Sequence, residues 1–129
     1  MSDERSLYER LGGHEGILKL IQSFYVDARQ HAVLGLIFNS QIKDWPSHLA
    51  KITEFWALQT GGPSLYRGGF AAAHLRIPAG LDAEHFQDWV GLWELNNGRH
   101  LPPREAAEMN ALAHEFARRL FGIVQGRKG

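Results

Sequence analysis

Two histidines, His48 and His74, stand 26 residues apart, with a glycine-rich tract (residues 61–70) between them. A neutral imidazole is the commonest metal ligand, and it also moves protons near neutral pH. The chain has no cysteine, so disulfides, thiolate catalysis and cysteine-ligated zinc or haem are excluded. A flat cofactor with one histidine on each face suits the pair, and the residue types around them suit a haem. His74 fits the axial ligand: it follows a segment that lets the backbone come close, and it is flanked by Ala73, Leu75 and Ile77. Its other ring nitrogen would need a hydrogen bond to fix its orientation. Phe38, Ile42, Leu49, Ile52, Trp56, Phe70, Leu75, Ile77 and Phe86 can supply an apolar slot. Lys51, Arg67 and Arg76 are the candidate cations for the propionates, and Tyr25, His48 and Trp89 are the candidate distal hydrogen-bond donors. Against this stands the plainer reading that both histidines are satisfied residues of a helical core. Spacing alone leaves the two open.

These residues must be positioned by helices, because apolar residues recur at spacings of three and four and no strand pattern of any length is present. Ser6 caps a short helix, Leu7–Leu11, stopped by Gly12-Gly13. A long amphipathic helix follows over His14–Gln30, with Ile17, Leu18, Leu20, Ile21, Phe24, Tyr25 and Ala28 on its apolar stripe. A tyrosine there needs a partner for its hydroxyl. Residues 31–43 connect, and their apolar content predicts a packed helical turn. Asp44 caps the next helix, with Pro46 in its first turn, and that helix runs to Gln59 with His48 on the buried face. Four glycines and a proline forbid a regular helix over 61–70, and Ala71-Ala72-Ala73 allow a short one over Phe70–His74. Asp82 caps a helix closed by Asn97-Gly98, carrying Phe86, Trp89, Val90 and Trp93 on one face. A last helix spans Arg104 to Val124, with its stripe at Ala106, Met109, Leu112, Ala113, Phe116, Leu120 and Ile123.

A chain of 129 residues predicts a single domain over 1–129, with 1–5 and 126–129 as frayed tails. Hydrophobic content of 44% with 22% charged residues excludes a disordered chain. Lys+Arg and Asp+Glu are both 14, which argues against nucleic-acid binding. The N-terminal stretch has no apolar run of signal-peptide type, and nothing approaches the roughly 20 apolar residues of a membrane helix, so no membrane association and a cytoplasmic location are expected.

Several segments together resemble the truncated haemoglobins, the short globins with a two-on-two helical sandwich. They are LYERLGG near the start, SFY ending at Tyr25, LIFN containing Phe38, the run from Asp44 through HLAKITEFW, GGPSLYRG, AAAHLRIP around His74, and HFQDWVGLWE. They span about residues 7–95 in the family's order. The HLAKITEFW block and a histidine at position 48 look most like group III (P), with group II (O) the second choice. The resemblance implies an all-α globin-like fold and a haem b with His74 as the iron ligand. It implies a distal face of Tyr25, His48 and Trp89, with Phe38 near the haem edge, and it adds Tyr66 to the pocket wall. His14, His31, His85, His100 and His114 match no site position and are read as surface or boundary residues. One departure is a connector between Tyr25 and His48 that is short for group III, which leaves the orientation of His48 open.

What the resemblance implies for function is binding of O2, NO, CO or peroxide as small ligands. Donors in a dry pocket would stabilise charge on bound oxygen, so slow oxygen release is expected, suiting O2, NO or peroxide chemistry better than bulk oxygen transport. The alternatives are a haem peroxidase or nitric-oxide dioxygenase drawing on an external reductase, and a gas-sensing module without turnover. A scaffold with no haem is the third.

Overall fold

The computed structural model describes residues 4–69 and 81–128. Phe70, His74, Leu75, Arg76 and Ile77, and the short helix expected at Phe70–His74, lie outside the described residues. Those described form six helices and no strand: α1 Leu7–Arg10, α2 Gly13–Gln30, α3 Leu34–Gln41, α4 Trp45–Gln59, α5 Ala83–His100 and α6 Pro103–Lys128. Among them no helix is long and apolar enough to cross a membrane.

The starts of the helices follow their caps. Ser6 Oγ accepts the Glu9 N–H, Asp44 Oδ1 accepts the Ser47 N–H, and Asp82 Oδ1 accepts the N–H groups of Glu84 and His85. His85 Nδ1 takes the Asp82 N–H in return, completing a capping box with histidine in the usual glutamate position. The ends depart from expectation. α3 is a regular helix of eight residues rather than a turn. α5 passes through Asn97-Gly98 to His100, because Asn97 is buried and its amide donates to Asn110 Oδ1 on α6. Tertiary contact there overrides a local stop signal. α6 likewise continues past Val124 to Lys128.

α2 packs against both α4 and α5, and α5 packs against α6, so two helix pairs are stacked. The layers meet at aromatic rings. Phe24 of α2 stacks on Trp93 of α5 with centroids 4.4 Å apart and 14° between planes, and Trp56 of α4 lies 5.3 Å from the same indole. Phe24 and Trp93 are each 1% exposed. The Trp93 indole N–H has no hydrogen-bond partner among the described residues, so its ring rather than its donor holds the stack. Beside it Asn96 is fully buried. Its amide donates to the Leu20 carbonyl, and its oxygen accepts from Ser23 Oγ, joining α5 to α2.

The N-terminal helix is bolted to α6 by charge. The Arg10 guanidinium donates to both carboxylate oxygens of Glu108, at 2.6 and 3.0 Å, and to Glu105 at 3.0 Å. Its side chain is only 5% exposed. The hydrogen bond from Arg10 holds the Glu108 carboxyl below its ordinary value of 4.5. A depressed folded pKa adds stability that is complete above the unfolded value and is lost as pH falls through the lower folded one. Arg10→Ala should therefore flatten the acid limb. Between about pH 6 and about pH 3 the wild type should lose more urea resistance than the variant. Equal losses would show that the bolt is not coupled to folding.

Candidate functional site

The site begins with two adjacent residues on α2. Consecutive helical positions point about 100° apart, so while Phe24 faces α5, Tyr25 faces α4. There its hydroxyl lies 2.9 Å from His48 Nε2. His48 is half-buried in spite of the short connector before it. α4 starts at Trp45, where Asp44 fixes its cap, and His48 follows on the first turn. Either group of the pair can donate, depending on the histidine tautomer.

Aromatic rings enclose this polar pair. Tyr25 meets Phe38 and Trp45 edge-on, each with centroids 5.3 Å away, and Phe24 at 5.1 Å. Trp45 also meets the His48 ring at 5.7 Å. On the outer side the Arg29 guanidinium sits 4.2 Å above the Trp45 ring and donates to Asn39 Oδ1. A groove of about 470 Å³, walled by Gln22, Arg29, Asn39, Trp45 and Leu49, reaches Tyr25 from this side.

Trp89 comes from α5 and is half-buried. Its ring lies 6.2 Å from Phe24 and 5.6 Å from Phe116, so it shares the Phe24 neighbour with Tyr25. Phe38, Leu49, Ile52, Tyr66 and Trp89 are all partly buried apolar side chains packed against the main core cluster. Phe86 packs instead on a second cluster around Leu81, Leu120 and Val124, and Phe116 touches both clusters. Trp56 sits deeper, 2% exposed within the core, and Ile42 is half-buried at the C-cap of α3. Lys51 and Arg67 are exposed.

Sequence reasoning passed over Trp45, Phe24 and Phe116 as site residues. Trp45 carried a usable signal, since it lies three positions before His48 and so on the same helix face. Phe116 carried none, because its meeting with Trp89 depends on how α6 crosses α5.

The arrangement can do specific chemistry. Half-buried large apolar side chains, with one tyrosine–histidine pair among them, make a wall suited to a flat apolar group bearing a small polar ligand. That donor set fits a haem. Lys51 and Arg67, both at the surface, are of the right charge for its propionates.

Burial pushes the Tyr25 phenol well above its ordinary value of 10.0, so the hydroxyl keeps its proton at neutral pH. The protonated form is the one folding favours. Its contribution is complete below about pH 10 and declines as pH climbs toward the raised folded value. An ultraviolet titration should show tyrosine absorbance that changes only when the protein unfolds, and Tyr25→Phe should remove one tyrosine's share of that late step. A late step as large in Tyr25→Phe as in the wild type would contradict the burial.

The chain matches the family described as bacterial-like globin over residues 6–97. It is 38% identical over 84 residues to the group 3 truncated hemoglobin ctb of Campylobacter jejuni, an alignment covering 62% of this chain and 65%, just under two thirds, of that protein. The fold superposes on the crystal structure of a group III truncated hemoglobin from Campylobacter jejuni with a TM-score of 0.81 and 29% identity, covering 96% of this chain and 95% of that one. It also matches the 2/2 hemoglobin of Synechococcus sp. PCC 7002, with a TM-score of 0.80, 21% identity and coverage of 91% and 98%. A truncated hemoglobin from Tetrahymena pyriformis matches with a TM-score of 0.73, 22% identity and coverage of 91% and 97%. These last two speak to the fold alone. The two stacked helix pairs are thus the two-on-two arrangement, and the chain belongs to the bacterial-like globin family, as a truncated haemoglobin similar to those of group III.

Proposed function

We propose that this chain binds a haem b through His74 and holds small gaseous ligands beneath a distal face formed by Tyr25, His48 and Trp89, with slow release of oxygen. The observation that carries the reading is the Tyr25–His48 contact at 2.9 Å inside a ring of aromatic side chains. The assignment of His74 rests on its match to the family's AAAHLRIP segment. When bound, the haem would supply the iron at which a diatomic gas is held. The chain's own residues do the rest. Phe38, Leu49, Ile52, Phe86 and Trp89 exclude water, and Tyr66 adds a wall beyond α4. Lys51 and Arg67 answer the propionates.

The proton on Tyr25 is the central quantity. If His48 Nε2–H donates to the phenol oxygen, the phenol proton is left to point at a ligand. If the phenol donates to Nε2 instead, that donor is used up. His48 therefore sets how much of the tyrosine's donor strength reaches the ligand. The Trp89 indole N–H is a donor only and has no such competition built into its chemistry.

A hydrogen bond to a charged partner is worth about 1.5–3 kcal/mol, and to a neutral one about 1. Tyr25→Phe and Trp89→Leu should each speed oxygen dissociation by roughly 5- to 150-fold, measured by stopped-flow displacement with carbon monoxide. Unchanged rates in both variants would end the distal-donor account. His74→Ala should abolish the Soret band of the purified protein, and retention of a normal band would refute the ligand assignment. Rapid turnover of peroxide or nitric oxide with an external reductase would move the reading from ligand holding to enzyme.

A further inference from the structure

The turn that carries Tyr66 is held by a relay of side chains that ends on α4. It starts on α1. The Tyr8 hydroxyl accepts the backbone N–H of His14 at 3.2 Å and is bonded to His14 Nδ1. On the other side of that ring, His14 Nε2 lies 2.8 Å from Glu54 Oε2 on α4. The second carboxylate oxygen, Glu54 Oε1, accepts the Leu65 N–H at 2.7 Å. The Glu54 backbone carbonyl accepts from Ser64 Oγ at 2.6 Å, and Ser64 Oγ in turn accepts the Tyr66 N–H at 3.0 Å.

Donor accounting orders the relay. The Glu54 carboxylate can only accept, so the His14 Nε2 that faces it carries a proton. In a neutral imidazole Nδ1 is then the acceptor, and the Tyr8 phenol donates to it while its oxygen receives the His14 backbone N–H. Glu54 uses both oxygens as acceptors, one for α2 through His14 and one for the chain at Leu65. Tyr8 is itself fixed from below. Its N–H donates to the Thr60 carbonyl at 2.9 Å, and its ring lies so close to Gly62 that a Cβ there would fall 2.3 Å from Tyr8 Cδ2. The result is a fixed path for residues 64–66, which sets Tyr66 against Phe55 with ring centroids 5.3 Å apart.

We propose that Tyr8, His14 and Glu54 are positioning residues for the proposed haem pocket, fixing the Tyr66 wall by way of the Leu65 amide. This rests on the haem reading above. None of the three would touch the haem; they act through residues 64–66.

The test uses the purified holoprotein of Glu54→Gln, of Tyr8→Phe and of the double variant His14→Phe/Glu54→Gln. The carboxamide that Glu54→Gln introduces can still accept from Leu65, but only by turning its NH2 group toward the Nε2–H of His14. Glu54→Gln should therefore speed hydrogen exchange at the Leu65 amide roughly tenfold and haem transfer to an apoglobin acceptor several-fold, with helix content by circular dichroism unchanged. The double variant removes the opposing donor, so both rates should recover part of the way toward wild type. Tyr8→Phe keeps its ring over Gly62 and should give a smaller change in the same direction. The proposal fails if Leu65 exchange is unmoved in Glu54→Gln, if haem transfer is unmoved while that exchange rises, or if the double variant is worse than the single. A wild-type protein that takes up no haem would instead refute the cofactor reading, and this role with it.

Discussion

The placement of Tyr25 against α4, and of Trp89 beside it on α5, depends on the stack of Phe24 on Trp93. Two large rings in parallel contact, each almost fully buried, fix both the depth and the rotation of α2 against α5. Truncating such a core aromatic to alanine costs about 3–5 kcal/mol. Rotation matters here because Tyr25 is the next residue. A turn of α2 that loosened Phe24 would carry the Tyr25 hydroxyl out of reach of His48. The core and the Tyr25 side of the site are therefore set by one contact rather than two.

The polar pair is tolerable only because it is a pair. A hydroxyl placed among aromatic rings without a partner carries a desolvation penalty of about 1–3 kcal/mol. The 2.9 Å contact with His48 relieves it, while burial keeps the phenol protonated. Trp45 closes the outer edge of both rings, and Arg29 covers Trp45 in turn. These two residues make no polar contact with the pair themselves, and they wall the groove through which Tyr25 is reached.

Much of this was legible in the amino-acid order. Asp44 and Asp82 announce their helices through cap chemistry, and the three-and-four spacing on α2 is enough to put Phe24 and Tyr25 on its inner side. The resemblance put Tyr25 and His48 on one distal face but left the orientation of His48 open, and nothing local says that residues 23 apart will meet. Depth along a helix was harder still. Ile52 and Trp56 share a stripe on α4, yet one is half-buried beside the site and the other is enclosed by the core, because the neighbours of Trp56 come from α5 and α6. The overrun of α5 past Asn97-Gly98 was invisible for the same reason: the bond that holds it reaches to Asn110. His14 looked like a boundary residue and is one by exposure, but its two ring nitrogens both face partners supplied by other helices.

Asn96 has a consequence for the register of the whole assembly. Helices joined by apolar contacts alone can slide by a turn at modest expense, because one methyl group replaces another. A slide of α5 along α2 by one turn, about 5.4 Å, would instead take both polar atoms of the buried Asn96 side chain away from their partners at Leu20 and Ser23. That interface has a single low-energy alignment, and the helix bearing Trp89 is locked lengthwise to the helix bearing Tyr25 whether or not a prosthetic group lies between the layers.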